Sequence, residues 1–493
     1  MKRFLLALST LLLFGCGEME QAPAQRALSW ADSKELIVLV QNGPTSLYVN
    51  AEGNYAGLEY DLISKFAERN ALKVRFQVSS SYSDMLARLQ RREAHLAVGG
   101  PLDQVSGLIY GTPYQDVEAR LVFSGKTSEE TALKAIKEGL ATLSTLPQYV
   151  PALEKLKQTA PALHWEVVGA GESEALIEQV AQGKLEFALV DSHAAEVAQN
   201  YYPNIMTSSQ IASRQQLAWV MPEQDTELQA KISEFFQTQL ADGSLRRLLD
   251  RYYGHVNRVD QLDALAYLGR IQNTLPRYKK WFKEAEATTG LDWRLIAALS
   301  YQESHWNPEA VSPTGVRGIM MLTNETAQRM NVDRTNAYQS IIGGAKYIQL
   351  LKDTLADRAP EPDRTWLALA AYNIGMGHLI DARTLAVRMK KDPNSWADVK
   401  SVLPLLRKPE YFSTLKYGYA RGGEPVIFVE SLQSYYDILA RFEAPSKTVL
   451  PVVSETVVVL NPENLPLEIN STLKPNRPER LAMAGNDMQS IVR

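Results

Sequence analysis

Residues 292–308 read Asp-Trp-Arg-Leu-Ile-Ala-Ala-Leu-Ser-Tyr-Gln-Glu-Ser-His-Trp-Asn-Pro. Asp292 suits a helix N-cap, and the apolar spacing predicts a helix from Trp293 to about Ser304. Glu303 falls four residues after Leu299 and seven after Ile296, which places its carboxyl on the buried stripe. Burial disfavours the ionised form, and that is what a general acid needs near neutral pH. An arbitrary glutamate at a helix end is more often solvated or ion-paired, so this spacing alone leaves both readings open.

The chain around this segment has 493 residues, too many for one ordinary hydrophobic core and enough for two large domains or about three smaller ones. With 52 basic and 56 acidic residues the net charge is -4, which gives no general attraction to nucleic acid. A single Cys excludes an internal disulfide and any zinc site built from several thiolates. The six His residues include no pair at metal-ligand spacing, so neither a metal nor another cofactor is expected. Gly169-Ala-Gly171 opens a dinucleotide fingerprint, but Glu174 stands at its third glycine and would repel a pyrophosphate. Gly125-Lys-Thr127 lacks the earlier glycine of a phosphate loop, having Arg120 instead.

Upstream, Leu36-Ile-Val-Leu-Val40 reads as a buried strand. Leu58, Leu62, Ile63 and Phe66 recur at helical spacing, and Leu72-Lys-Val-Arg-Phe76 alternates like a strand again. Such alternation implies a mainly parallel α/β sheet. Leu86, Leu89, Ala94, Leu96, Val98 and Gly100 are echoed by Ile177, Val180, Leu185, Phe187, Leu189 and Asp191 at one constant offset. Both copies read as a helix followed by a short buried strand, as two lobes would give. From Asn257 to about Pro445 the pattern is helical. Beyond it the chain is Pro-rich and expected to fold little on its own, although Thr456-Val-Val-Val-Leu460 has the composition of a strand.

Ala298–Pro308, with Ser312-Pro-Thr-Gly-Val-Arg-Gly-Ile-Met-Met-Leu-Thr323 and Ala370-Ala-Tyr-Asn-Ile-Gly-Met-Gly377, resembles the ordered motifs of family 1 lytic transglycosylases. Gly57-Leu-Glu-Tyr-Asp-Leu62 and Tyr110-Gly-Thr-Pro-Tyr114 resemble signatures of amino-acid-type solute-binding proteins. Together they resemble the membrane-bound lytic murein transglycosylase F family. The fold this implies is multidomain, a two-lobed α/β periplasmic-binding-protein-like domain followed by a mainly α lysozyme-like domain. The expected boundaries are a signal region at 1–16, a linker at 17–34, the regulatory domain at 35–256, the catalytic domain at 268–443 and a Pro-rich tail at 444–493.

The resemblance implies one catalytic carboxyl, Glu303, where ordinary glycosidases use two. It would cleave the MurNAc–GlcNAc β-1,4 bond of peptidoglycan strands without water and leave 1,6-anhydro-MurNAc ends. Tyr372 and Asn373 are expected beside the scissile sugar, with Ser304 and Met321 lining the cleft and His305 outside the chemistry. Asn373 follows Leu369 by four residues and Trp366 by seven, so it is expected to point inward. Phe428 stands where the family's fourth motif has Tyr. In the regulatory domain Asp191 occupies the place of an acid that meets an amino group. Gln104 replaces the arginine that clamps an α-carboxylate, which favours a peptide or muropeptide over a free amino acid. Glu303 favours an enzyme; Phe428 and Gln104 keep open a cell-wall-fragment sensor that cuts weakly or not at all.

Lys2 and Arg3 precede the apolar run Phe4–Gly15, which ends at Cys16. This reads as a secretory signal, too short to span a bilayer. Leu13-Phe-Gly-Cys16 resembles a lipobox with Phe14 at the place of a small residue. It implies a Cys16-lipidated protein, and Gly17 rather than Asp implies the periplasmic face of the outer membrane.

Overall fold

A computed structural model describes residues 26–43, 45–49, 55–79, 81–102, 105–168, 173–211, 214–256, 258–313, 315–355 and 359–446, and the backbone of strands 457–460 and 466–470. The signal run with Cys16, Gln104, and the other parts of the tail lie outside the described residues.

The N-terminal half is two α/β lobes. In the first, strand Glu35–Val40 lies between parallel neighbours Lys73–Val78 and Leu96–Pro101, and Gln215–Pro222 adds antiparallel to Leu96–Pro101. Leu36, Val38, Leu39 and Val40 are fully buried, as a strand covered on both faces requires. Helix Leu58–Arg69 packs Leu62, Ile63 and Phe66 into the same core. The second lobe has strand Phe187–Asp191 between Leu143–Thr145 and Ala119–Ser124. The internal echo becomes two matching units, helix Tyr82–Gln90 with strand Leu96–Pro101 and helix Ser173–Ala181 with strand Phe187–Asp191.

The chain crosses between lobes twice. Gln115–Val117 pairs in the first sheet, and Ala119–Ser124, one residue later, pairs in the second. The return runs from Ile205–Gln210 to Gln215–Pro222. Arg214 Nε lies 3.0 Å from Glu118 Oε1, tying the two crossings together.

The second half is helical and has its own core, from Val259 to Leu439. Helix Trp293–Ser304 starts where expected, with Asp292 accepting the Arg294 N–H at 2.8 Å. Its flank is the long helix Glu424–Phe442, and helix Asp363–Ile374 packs on the same partner. Ion pairs join the halves. Asp398, almost fully buried, takes Arg246 and Arg247; Asp363 takes Arg251 at 2.9 Å; Asp250 takes Lys400 at 2.7 Å.

The Pro-rich tail contributes two strands. Val457–Leu460 pairs antiparallel with Lys73–Val78, and Pro466–Asn470 extends the sheet further. The stretch read as a strand thus pairs with the first lobe of the N-terminal half. Among the described residues no helix is long and apolar enough to cross a membrane.

Candidate active site and interlobe cleft

Glu303 sits in the last turn of its helix. The two residues that cap it, His305 and Trp306, have φ of 52° and 59°, so the chain turns sharply away just after the acid. Trp306 is buried and donates its indole N–H to Ala297 O at 2.8 Å, which holds that turn. His305 is exposed.

The segment Gly318–Leu322 comes next. Gly318 has φ 87°, and a Cβ there would run into the Arg334 carbonyl oxygen. Glycine is therefore required. Met320 is buried, whereas Met321, with φ 47°, is only half-buried. Ser300 Oγ and Ser304 Oγ reach Ile319 O at 3.0 and 2.8 Å, and Tyr372 donates its hydroxyl to Met320 O at 2.7 Å. Stretches widely separated in sequence are thereby bonded around one acid. Ser304 and Tyr372, expected to face sugar, have their hydroxyls engaged with this backbone.

Asn373 departs from its expectation. It is exposed rather than inward-facing. Helix Asp363–Ile374 is buried at Thr365 and at every position from Leu367 to Ala371, so spacing from Leu369 does not identify one inner stripe. The helix stops at Gly375, where φ is 89°, and in its last turn Tyr372 and Ile374 pack on the core while Asn373 faces out. Phe428 is buried in the core of the helical domain.

Burial pushes the Glu303 carboxyl up to about 8. Among the described residues no cation or hydrogen-bond donor offsets that desolvation, so the group is mainly protonated at neutral pH. The half-buried side chain leaves a way for substrate to reach it. Tyr372 is also pushed well above the usual phenol range, by burial first and by Glu303 second.

A cleft of about 1080 Å³, mouth included, opens between the two α/β lobes rather than at Glu303. Asp191 lines it and accepts from Tyr149 Oη and from Ser173 Oγ, the latter at 2.8 Å. Glu59 lines it too, buried and hydrogen-bonded by Tyr114 and by Trp219 Nε1 at 2.9 Å. Desolvation raises its carboxyl to about 7, against those two donors. Glu59 belongs to the stretch Gly57–Leu62, whose sequence alone assigns its side chain no role. Glu174, first noticed only as spoiling a glycine motif, is a third acid of the cleft. It pairs with Arg441 of helix Glu424–Phe442.

Comparison with known proteins matches residues 280–394 to the Transglycosylase SLT domain and residues 36–255 to Bacterial extracellular solute-binding proteins, family 3. A membrane-bound lytic murein transglycosylase F of Methylobacillus flagellatus is 43% identical, covering 92% of this chain and 96% of its own. The chain belongs to the membrane-bound lytic murein transglycosylase F family. Relatives of the same description from Nitrosospira multiformis and Pseudomonas putida are 40% and 37% identical, over 92% and 90% of this chain. As a member of that family it is a lytic murein transglycosylase acting on peptidoglycan, with a solute-binding-type domain ahead of the catalytic one. The family description agrees with membrane association.

Proposed function

We propose that Glu303 alone performs the acid and base steps and that the product is a 1,6-anhydro-MurNAc end. The observation that carries this reading is a carboxyl held protonated by burial, without an ion-pair partner among the described residues. Glu303 gives its proton to the departing GlcNAc O4 as the C1–O4 bond breaks. The MurNAc N-acetyl oxygen supports C1. The MurNAc 6-hydroxyl then bonds to C1, and its proton returns to Glu303. Atoms balance without water, because the hydroxyl is intramolecular and its effective concentration is high. Mass spectrometry of muropeptides released from purified sacculi tests it. Products one water lighter than hydrolysis products are expected; reducing MurNAc ends would overturn it.

Ligand binding in the interlobe cleft regulates cleavage in this proposal. Asp191 holds an ammonium group, and Gln104 offers only a neutral amide, so the ligand is a peptide or muropeptide. A difference of about 1–3 kcal/mol in affinity between open and closed lobes is enough to change activity several-fold. Titration of the protein with stem peptides, muropeptides and free amino acids tests the assignment. Preference for a free amino acid, lost in Asp191→Ala, would sink it. Cys16 is the proposed lipid attachment point for the outer membrane, and loss of labelled fatty acid in Cys16→Ala is the expected result.

A further inference from the structure

The loop between Phe412 and Glu424 presents two exposed tyrosines, Tyr417 at 44% and Tyr419 at 57% of their full accessibility. Contiguous apolar surface left in water marks interaction sites and ligand-binding grooves. This loop is fixed. Asp381, only 2% exposed, accepts the backbone N–H groups of Lys416 at 3.1 Å and Tyr417 at 2.7 Å, one on each carboxylate oxygen. Arg388 donates to Thr414 Oγ1 at 2.9 Å, and Ala420 N–H bonds Leu406 O at 3.1 Å. Tyr419 is braced edge-on by Phe412, with ring centres 5.7 Å apart.

The Tyr417 ring lies directly over Gly377. A Cβ built on that glycine would stand 2.7 Å from Tyr417 Cδ1, so only a glycine lets the ring approach this closely. His378 meets the same ring edge-on at 6.3 Å. Gly377 follows Asn373 by four residues, a stretch that spans at most about 14 Å. Exposed Asn373 and exposed Tyr417 therefore border the same end of helix Asp363–Ile374, whose Tyr372 is bonded to the segment beside Glu303.

We propose that Tyr417, with Tyr419 behind it, is a carbohydrate-stacking platform that holds pyranose rings of the glycan strand away from the scissile bond. The apolar faces of sugar rings match an exposed phenol ring; the Asp381 clamp fixes the loop backbone, and packing on Gly377 places the ring, before substrate arrives. Preorganisation of this kind lowers the ordering cost of binding. The platform contacts substrate but takes no part in proton transfer, so its loss weakens binding and leaves the chemical step. The proposal rests on the peptidoglycan-cleaving reading of Glu303.

The test uses the full chain with purified sacculi as the probe. Co-sedimentation is measured in the Glu303→Gln background, where no cleavage is expected, with and without Tyr417→Ala, Tyr417→Phe and Tyr417→Trp. Tyr417→Ala is expected to weaken binding by roughly twofold to tenfold, which corresponds to about 0.4–1.4 kcal/mol. Tyr417→Phe and Tyr417→Trp keep wild-type binding. In the active protein, Tyr417→Ala raises KM by a similar factor with kcat unchanged. Binding and KM for Tyr417→Ala equal to wild type would overturn the platform, as would Phe and Ala variants that lose binding equally. Failure of the wild type to cleave sacculi would instead reject the reading of Glu303, and the binding comparison would still decide on Tyr417.

Discussion

Tyr372 donates its hydroxyl to the backbone carbonyl of Met320 at 2.7 Å, and this one bond joins the helix Asp363–Ile374 to the segment that flanks Glu303. Met320 is fully buried, so water is a poor substitute for that donor. The bond thus holds the Met320 segment against the helix that carries Tyr372.

Tyr372→Phe should therefore lower both stability and activity. Leaving a buried carbonyl without its donor costs about 1–3 kcal/mol. The expected result is a fall in melting temperature and a decrease in kcat/KM of roughly tenfold, while the Glu303 carboxyl stays protonated at neutral pH. An unchanged kcat/KM would show that the Met320 segment keeps its position without the bond.

Glu303→Gln should abolish cleavage, since positioned acid–base catalysis contributes roughly 10²–10⁴-fold. The same substitution should stabilise the fold in a pH-dependent way. The folded-state carboxyl is raised from 4.5 to about 8, so its favourable contribution is complete below about pH 4.5 and is lost as pH rises through 8. One pKa unit corresponds to about 1.4 kcal/mol. Wild type and Glu303→Gln should melt together near pH 4.5, and the variant should melt increasingly later up to about pH 8 and by a level margin above it. Thermal melts across that range check it, and a constant difference would mean the carboxyl is not desolvated.

The ease of reading differed along the chain for physical reasons. Leu36–Val40 was legible because a strand buried on both faces is an unbroken apolar run, and Asp292 because an N-cap is a local device. Asn373 faces out although it follows Leu369 by four, because helix Asp363–Ile374 is buried at five consecutive positions from Leu367 to Ala371, leaving the spacing rule no contrast to detect. The Glu174–Arg441 pair joins two domains, and nothing local at either residue names the other. The Pro-rich composition of the tail predicts little independent folding, and Val457–Leu460 needs no core of its own when Lys73–Val78 offers an open edge.

Truncation after residue 446 should uncover that edge. Lys73–Val78 would then have unpaired N–H and C=O groups on one side, a template for pairing with another chain. Hydrogen exchange should show faster exchange of the amides between Lys73 and Val78 that point away from strand Glu35–Val40, with those facing it unaffected. Equal protection in the truncated and full chains would mean that the hairpin contributes nothing to the edge in solution.

Arg441 spans the distance between the cleft acids and the helical domain. Glu174 and Tyr201 both line the interlobe cleft, and Arg441 engages both, pairing with Glu174 and lying 4.7 Å over the Tyr201 ring. Arg441 also donates to Tyr202 Oη at 2.9 Å. It ends helix Glu424–Phe442, which packs along the helix that carries Glu303. A ligand that draws on Glu174, or a lobe movement that shifts it, therefore pulls on a helix in contact with the catalytic one. Arg441 and Glu174 are each mostly buried, at 10% and 14% side-chain exposure, so removing either alone strands a charge and costs about 3–5 kcal/mol. The double replacement Arg441→Met with Glu174→Gln should recover part of that stability. All three variants should still cleave sacculi, but none should change rate when a cleft ligand binds. Additive stability losses in the double variant, or a ligand response equal to wild type, would remove Arg441 from the path between the two sites.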